Sequence, residues 1–335
     1  MAKRRANRLV EPMKHITRKQ IVSWAGTILM IVSLAFLAYR IYVLSTGADF
    51  NFSTFASAGV VVGLVLVALM EGLGILLAGF NFRALIKNVS GVLVHRPLAL
   101  LVYTISNVYK YIPGGAMYVL GRNRLAEEID DLSHPAVALS TIIEGALVAI
   151  AAILIVVVTV FDHTVEHIRQ TETELPTAFV IVIIVVLVLA GSAVYSFRRV
   201  IAEGLGKLLA HMQVLRPLVL LKRFGFALLI MILWGGTFLA TLVVLGQEMS
   251  PGMAPTIIGL FLLAWLAGFL TPGAPSGLGI REMIMLTFLS GMIYEGILIP
   301  AMVVHRVLAA LGDVAAYGVA VAYTHMAKMY EKSNT

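Results

Sequence analysis

The chain has no cysteine and little charge. Without cysteine there is no disulfide framework, no thiolate nucleophile and no thiolate metal site anywhere in its 335 residues. Charged residues make up only 13% of it and hydrophobic ones 60%. A soluble domain carries about 25% charged and about 45–50% apolar residues, so there is too little polar material here to coat a globule. The chain belongs in lipid. Metal-ligand spacings, a nucleophile triad, a Walker loop and a Rossmann fingerprint are missing too, and the Gly-rich stretches follow no strand. No metal, no cofactor and no enzymatic chemistry are expected.

What charge there is lies unevenly. The net charge is +7, and residues 1–20 supply +6 of it through Lys3, Arg4, Arg5, Arg8, Lys14, Arg18 and Lys19 against Glu11. A basic leader before a long apolar run is an orientation signal rather than a nucleic-acid patch, and it suits an anionic lipid surface. A helix crossing a bilayer needs about 20 apolar residues. Full spans are expected at 21–45, 54–79, 136–160, 177–197, 223–246 and 300–325. The first is too long for a signal peptide, and Arg40 can snorkel near its far end.

Two other apolar stretches, 98–131 and 255–295, are each interrupted by Pro-Gly. The arms before the breaks, 98–112 and 256–271, reach only about 22–24 Å at 1.5 Å per residue, short of the roughly 30 Å hydrocarbon core. Charge then sorts the connections. Segments 80–97 and 198–223 are basic like both termini, 161–176 is acidic, and 46–53 and 247–254 lack Lys and Arg. The positive-inside bias is satisfied only if 98–131 enters and leaves on the cytoplasmic side and 255–295 on the outer side. Segment 198–223 is expected to be an interfacial connector.

The two interrupted stretches match each other. PGGAMYVLGR, with Pro113, Gly114, Gly115 and Arg122, lies beside PGAPSGLGIR, with Pro272, Gly273, Gly277, Gly279 and Arg281. The order span, span, hairpin, span also recurs over 21–160 and 177–325, the first half starting inside and the second outside. That is the pattern of inverted-topology repeats, whose binding site lies between broken helices near the midplane. Each half-helix after a break points its amide end into the membrane, where an anionic group such as a phosphate is the natural guest.

The runs SNVYKYIPGGAMYVLGR (106–122), STIIEGALVAIAAIL (140–154), GFLTPGAPSGLGIREMIML (268–286) and VVHRVLAALGD (303–313) resemble the transmembrane region of the lysylphosphatidylglycerol synthase/flippase family. GLGIRE is the specific element. Ala274-Pro275-Ser276 departs from a more Gly-rich turn, and His305 stands where an aromatic is common. The resemblance covers all but the leader and implies lipid translocation by a stand-alone flippase-like protein lacking the synthase domain.

Charges within apolar segments cost at least about 2.5–3.5 kcal/mol each at a helix centre, so each is a functional candidate. Arg281 and Glu282 read as substrate or gating residues, or else as an ion pair locking the hairpin. Arg122 reads as a phosphate contact, or as a snorkelling interfacial arginine. Arg124 is followed by Glu127, Glu128, Asp130 and Asp131, which suit a solvated helix end. Lys110, between Tyr109 and Tyr111, would touch a headgroup or anchor its arm, and Asn107 would tie carbonyls near the break. Glu144 is expected to meet a hairpin cation, as a switch or a staple. Glu71 is a further acid. Arg306 and Asp313 share a helix face, and His305 is either a proton carrier or a hydrogen-bonded wall residue.

The chain is therefore expected to be an all-α polytopic protein of the cytoplasmic membrane, with both termini cytoplasmic. Six full transmembrane helices and two re-entrant Pro-Gly hairpins would form the inverted repeat, with 326–335 a tail. Substrate contacts are assigned to Arg122, Arg281, Arg306, Lys110 and Arg124. Counter-charge or coupling falls to Glu144, Glu282, Glu71, His305 and Asp313. The expected activity is translocation of an anionic or zwitterionic phospholipid, aminoacyl-lipid, glycolipid or polyprenyl-phosphate lipid by alternating access. The alternatives are a lipid-presenting partner of a membrane-bound synthase or glycosyltransferase, and an ion-coupled carrier of a small anion. Homo-oligomerisation is left open, and no nucleic-acid partner is expected.

Overall fold

The computed structural model describes residues 57–111, 117–171, 217–250, 252–271 and 275–333. The basic leader, the spans expected at 21–45 and 177–197, and Pro113, Gly114, Gly115, Pro272 and Gly273 lie outside the described residues. Among those described there are eight α-helices and no strand. They are α1 (Ala58–Ser90), α2 (Arg96–Val108), α3 (Met117–Glu128), α4 (His134–Thr171), α5 (Pro217–Val244), α6 (Met253–Leu270), α7 (Ile280–Leu289) and α8 (Glu295–Ser333). Short 3₁₀ turns follow α2 at Tyr109–Tyr111 and precede α7 at Pro275–Gly277.

Five helices are long and apolar enough to cross a membrane: α1, α4 over His134–Val160, α5, α6 and α8. Four of these correspond to expected full spans. The fifth, α6, starts at Met253 and has 18 residues, so the arm expected to be short is itself long enough by length and composition. Its counterpart α2 has 13 residues, about 20 Å of helix, well under the hydrocarbon thickness.

Helix ends differ from the charge-based boundaries in one direction. Segment 80–97 was expected to be a loop, but α1 continues to Ser90 before Gly91 closes it at φ +76°, its amide bonded to Lys87 O at 3.0 Å. The acidic segment 161–176 was expected to be an outer loop, yet α4 runs on to Thr171. Residues 217–223 of the expected connector form the first turns of α5. Helix α8 continues through the expected tail to Ser333. Polarity marks where a chain leaves hydrocarbon, whereas the i→i−4 ladder carries on into water unless a breaker intervenes.

The buried side of α1 runs Val67, Glu71, Gly72, Ile75, Ala78, Phe82, Leu85 and Ile86, spacings of three to four residues that make one face. Val61, Val62, Val65, Leu66, Leu69 and Leu73 are exposed on the other side, as a lipid-facing surface requires. Helices α1 and α5 pack on each other and on members of both halves. The whole packing pattern maps onto itself when α1 exchanges with α5, α2 with α6, α3 with α7 and α4 with α8. Thus α1–α8 answers α5–α4, α2–α8 answers α6–α4, α1–α2 answers α5–α6, α1–α4 answers α5–α8, and α3–α4 answers α7–α8.

Lipid tails are as apolar as leucine, so close backbone approach, not hydrophobic transfer, holds such helices together. The α1–α8 crossing depends on Gly72 and Gly312. A Cβ on Gly312 would lie 2.5 Å from Glu71 Cβ and 2.9 Å from Gly72 N. Gly312→Ala is expected to cost about 1–3 kcal/mol through overpacking, read as a lower unfolding temperature in detergent. Gly318→Ala on the same helix, where a Cβ meets nothing within 4 Å, should leave that temperature unchanged.

Candidate functional site

The turn that follows the second break is built from left-handed backbone. Ser276, Gly277 and Gly279 have φ of 51°, 66° and 82°, and such turns leave carbonyls without helical donors. Arg306 of α8 supplies the missing donors. Its Nη1 donates to Ser276 O at 2.9 Å and to Ser276 Oγ at 3.4 Å, and its Nη2 to Gly277 O at 3.3 Å. Its Nε donates to Glu282 Oε1 at 2.6 Å. The other oxygen of Glu282 accepts from the Gly279 amide at 2.8 Å, reaching back from the third helical position to the N-cap. Arg306 and Glu282 therefore hold the break and the start of α7 together.

Two turns along the same face of α8, Asp313 does the equivalent work beside the first break. It accepts from Lys110 Nζ at 2.8 Å and from Asn107 Nδ2 at 2.7 Å. Asn107, expected to tie carbonyls, instead serves this carboxylate. Asp313 is buried, while the Lys110 side chain remains 31% exposed. The turns at 109–111 and 275–277 also lie against each other. A single helix thus grips the two described turns beside the breaks, and those turns touch each other.

A third group sits between α1, α5 and α8. Glu71, buried in α1, accepts a hydrogen bond from Thr237 Oγ1 of α5, and His305 Nε2 lies 3.6 Å from its Oε1. Thr241 Oγ1 is 3.4 Å from His305 Nδ1. The rings of Phe238 and Phe261 stand edge-on to the imidazole at 5.4 and 5.2 Å. Arg281 is half-buried, with its guanidinium 5.8 Å from the Trp265 ring centre and its stem pressed against Gly268. Its charge reaches both Glu71 and His305.

Arg122 is housed differently. It is buried in an ion pair with Glu144 of α4, whose other oxygen accepts from Tyr103 Oη at 2.9 Å. The rings of Tyr103, Phe82 and Tyr118 surround the guanidinium at 4.3, 4.7 and 5.3 Å. Glu144 thus meets the arginine that follows the first break, in a closed aromatic cage made by α1 to α4. Arg124, two residues on, is exposed. The arginine after each break lies over an aromatic ring of its own first arm, Tyr103 in α2 and Trp265 in α6. The first is sealed by a carboxylate, Glu144, bonded to it.

Of the ten candidate charged or titratable residues, α8 brings six into contact with its own side chains or theirs: Arg306 with Glu282, Asp313 with Lys110, and His305 with Glu71. Tyr103, Ser276, Thr237 and Thr241 belong to these networks and escaped the sequence reading. Thr237 and Thr241 had a usable signal, two hydroxyls four residues apart on one face of an apolar helix. Among the described residues no group of three His, Asp or Glu side chains is placed to hold a metal. The chain matches no protein-family model and no curated protein.

Proposed function

We propose that the protein is a lipid flippase of the cell membrane. A phosphate-bearing headgroup would enter where the two breaks meet, its tails staying in the bilayer, and the two halves would rock to expose that point to each leaflet in turn. The observation that carries this is the grip of α8 on both breaks through Arg306 and Asp313. Irregular backbone at membrane depth is tolerated where it is buried in protein or lines a wet cavity, and here it is lined by cations that a phosphate fits.

In this proposal 98–131 and 255–295 are re-entrant hairpins inserted from opposite faces. The exchange symmetry of the helix packing supports the inverted repeat, and the resemblance to the lysylphosphatidylglycerol flippase region supports lipid as cargo. Lys110 and Arg306 are both held by carboxylates in this state. An incoming phosphate would displace Asp313 and Glu282, and their return would release it. Arg281, half-buried beside the Trp265 ring, adds a third cation, whereas Arg122 is a staple rather than a substrate contact.

Reconstituted in liposomes, the protein should move fluorescent phospholipid or polyprenyl-phosphate lipid between leaflets, read by quenching of the outer leaflet. Arg281→Ala should slow this about tenfold, equivalent to about 1.4 kcal/mol. Movement of neither lipid would refute the flippase and leave a lipid-presenting partner of a membrane-bound transferase. Undiminished movement by the variant would refute the site alone. The contact of His305 with Glu71 places two proton-exchanging groups side by side between α1 and α8, and a proton is the coupling ion in this reading. An imposed pH gradient should then bias the direction of transport.

A further inference from the structure

A pocket of about 350 Å³ opens at one end of the bundle, where α1 closes, α2 begins and α8 runs past them. Small-molecule pockets span roughly 300–1,000 Å³. Arg83, His95, Arg96 and Tyr323 line it together with Leu93 and Pro97, and its lining contains no carboxylate. Arg83 is fixed by its Nε, which donates to Val94 O at 2.6 Å. The two guanidiniums are close enough to repel each other, and among the described residues neither has an ion pair.

Beside the two breaks, Lys110 and Arg306 have each been given a carboxylate. Two uncompensated arginines facing one cavity is an arrangement that favours an anion, and each guanidinium can offer a planar pair of donors. The first turn of α2, with His95 at its N-cap making no side-chain cap bond, opens on the same space. Leu93, 56% exposed, supplies an apolar lip. None of these groups belongs to the site between the breaks.

We propose that this pocket is a second, peripheral binding site for a phosphate group, with Arg83 and Arg96 clamping the phosphate and Tyr323 donating to it. A phospholipid headgroup or free inorganic phosphate could bring that chemistry. Binding of soluble dihexanoyl phosphatidylglycerol and of inorganic phosphate to the full-length protein in detergent separates the sources. Wild type should bind the lipid, and both Arg96→Gln and Leu93→Trp, the latter filling the pocket, should weaken binding about tenfold or more. Arg281→Ala should leave that component intact. Equal, Arg96-dependent binding of inorganic phosphate would assign the site to free phosphate instead. If neither Arg96→Gln nor Leu93→Trp changes either isotherm, the pocket is not a phosphate site.

Discussion

Arg306→Gln is expected to abolish measurable lipid movement and to lower stability by about 3 kcal/mol or more, because removing one partner of a buried pair strands the other charge. The stranded group is Glu282, 2% exposed, and the carbonyls of Ser276 and Gly277 lose their donors at the same time. Loss of folding alone would explain lost transport, so the double variant Glu282→Gln/Arg306→Gln is the decisive one. It removes both charges, should recover most of the unfolding temperature, and should still fail to transport. Glu282→Gln alone frees Arg306 from its competitor. Lipid should then bind more tightly and turn over more slowly, so that KM and kcat fall together.

Arg122→Ala should be about as damaging to the fold and for a different reason. It takes a guanidinium from a cage of three rings and leaves Glu144, 5% exposed, facing Tyr103 alone. A cost of about 3–5 kcal/mol follows from an uncompensated buried carboxylate. Replacing the pair by groups of similar volume, Arg122→Met with Glu144→Gln, should return the unfolding temperature to near that of the wild type, since buried pairs are often matched by packed neutral residues. The liposome assay then separates the roles. The repaired double variant should transport within about twofold of wild type, a difference under about 0.5 kcal/mol. A repaired but inactive protein would place Arg122 in the substrate path.

Which charges face inward was legible from the chain, because a charge in an apolar run has few other places to go. Arg281, Glu282, Arg306 and Asp313 were all found that way, and the seven-residue spacing of Arg306 and Asp313 put them on one face of α8. Partner choice was not legible. Lys110 meets Asp313 across 203 residues and Thr237 meets Glu71 across 166, distances over which periodicity carries no information. Arg122 and Arg281 occupy matching places after their breaks, yet one is sealed in a cage and the other half-open. Glu144 on α4 closes the cage around Arg122, and its position is answered by His305 on α8 when the two helices are counted from their first residues. Helix ends were misplaced for a simpler reason. Charge reports the water boundary, and nothing in 80–90 or 161–171 breaks a helix before Gly91 and beyond Val160.

The pairing of interior charges has an electrical consequence. With His305 neutral, the carboxylates Glu71, Glu144, Glu282 and Asp313 equal in number the cations Lys110, Arg122, Arg281 and Arg306. Carrying one elementary charge through the membrane potential is worth about 2.3 kcal/mol per 100 mV. In the proposed cycle, an empty protein in which these described charges cancel would reorient with little electrical work. Loaded with a headgroup of net charge −1 and no co-bound proton, the moving unit would carry that charge. A potential negative inside would then act on the loaded step alone and push it toward the outer leaflet.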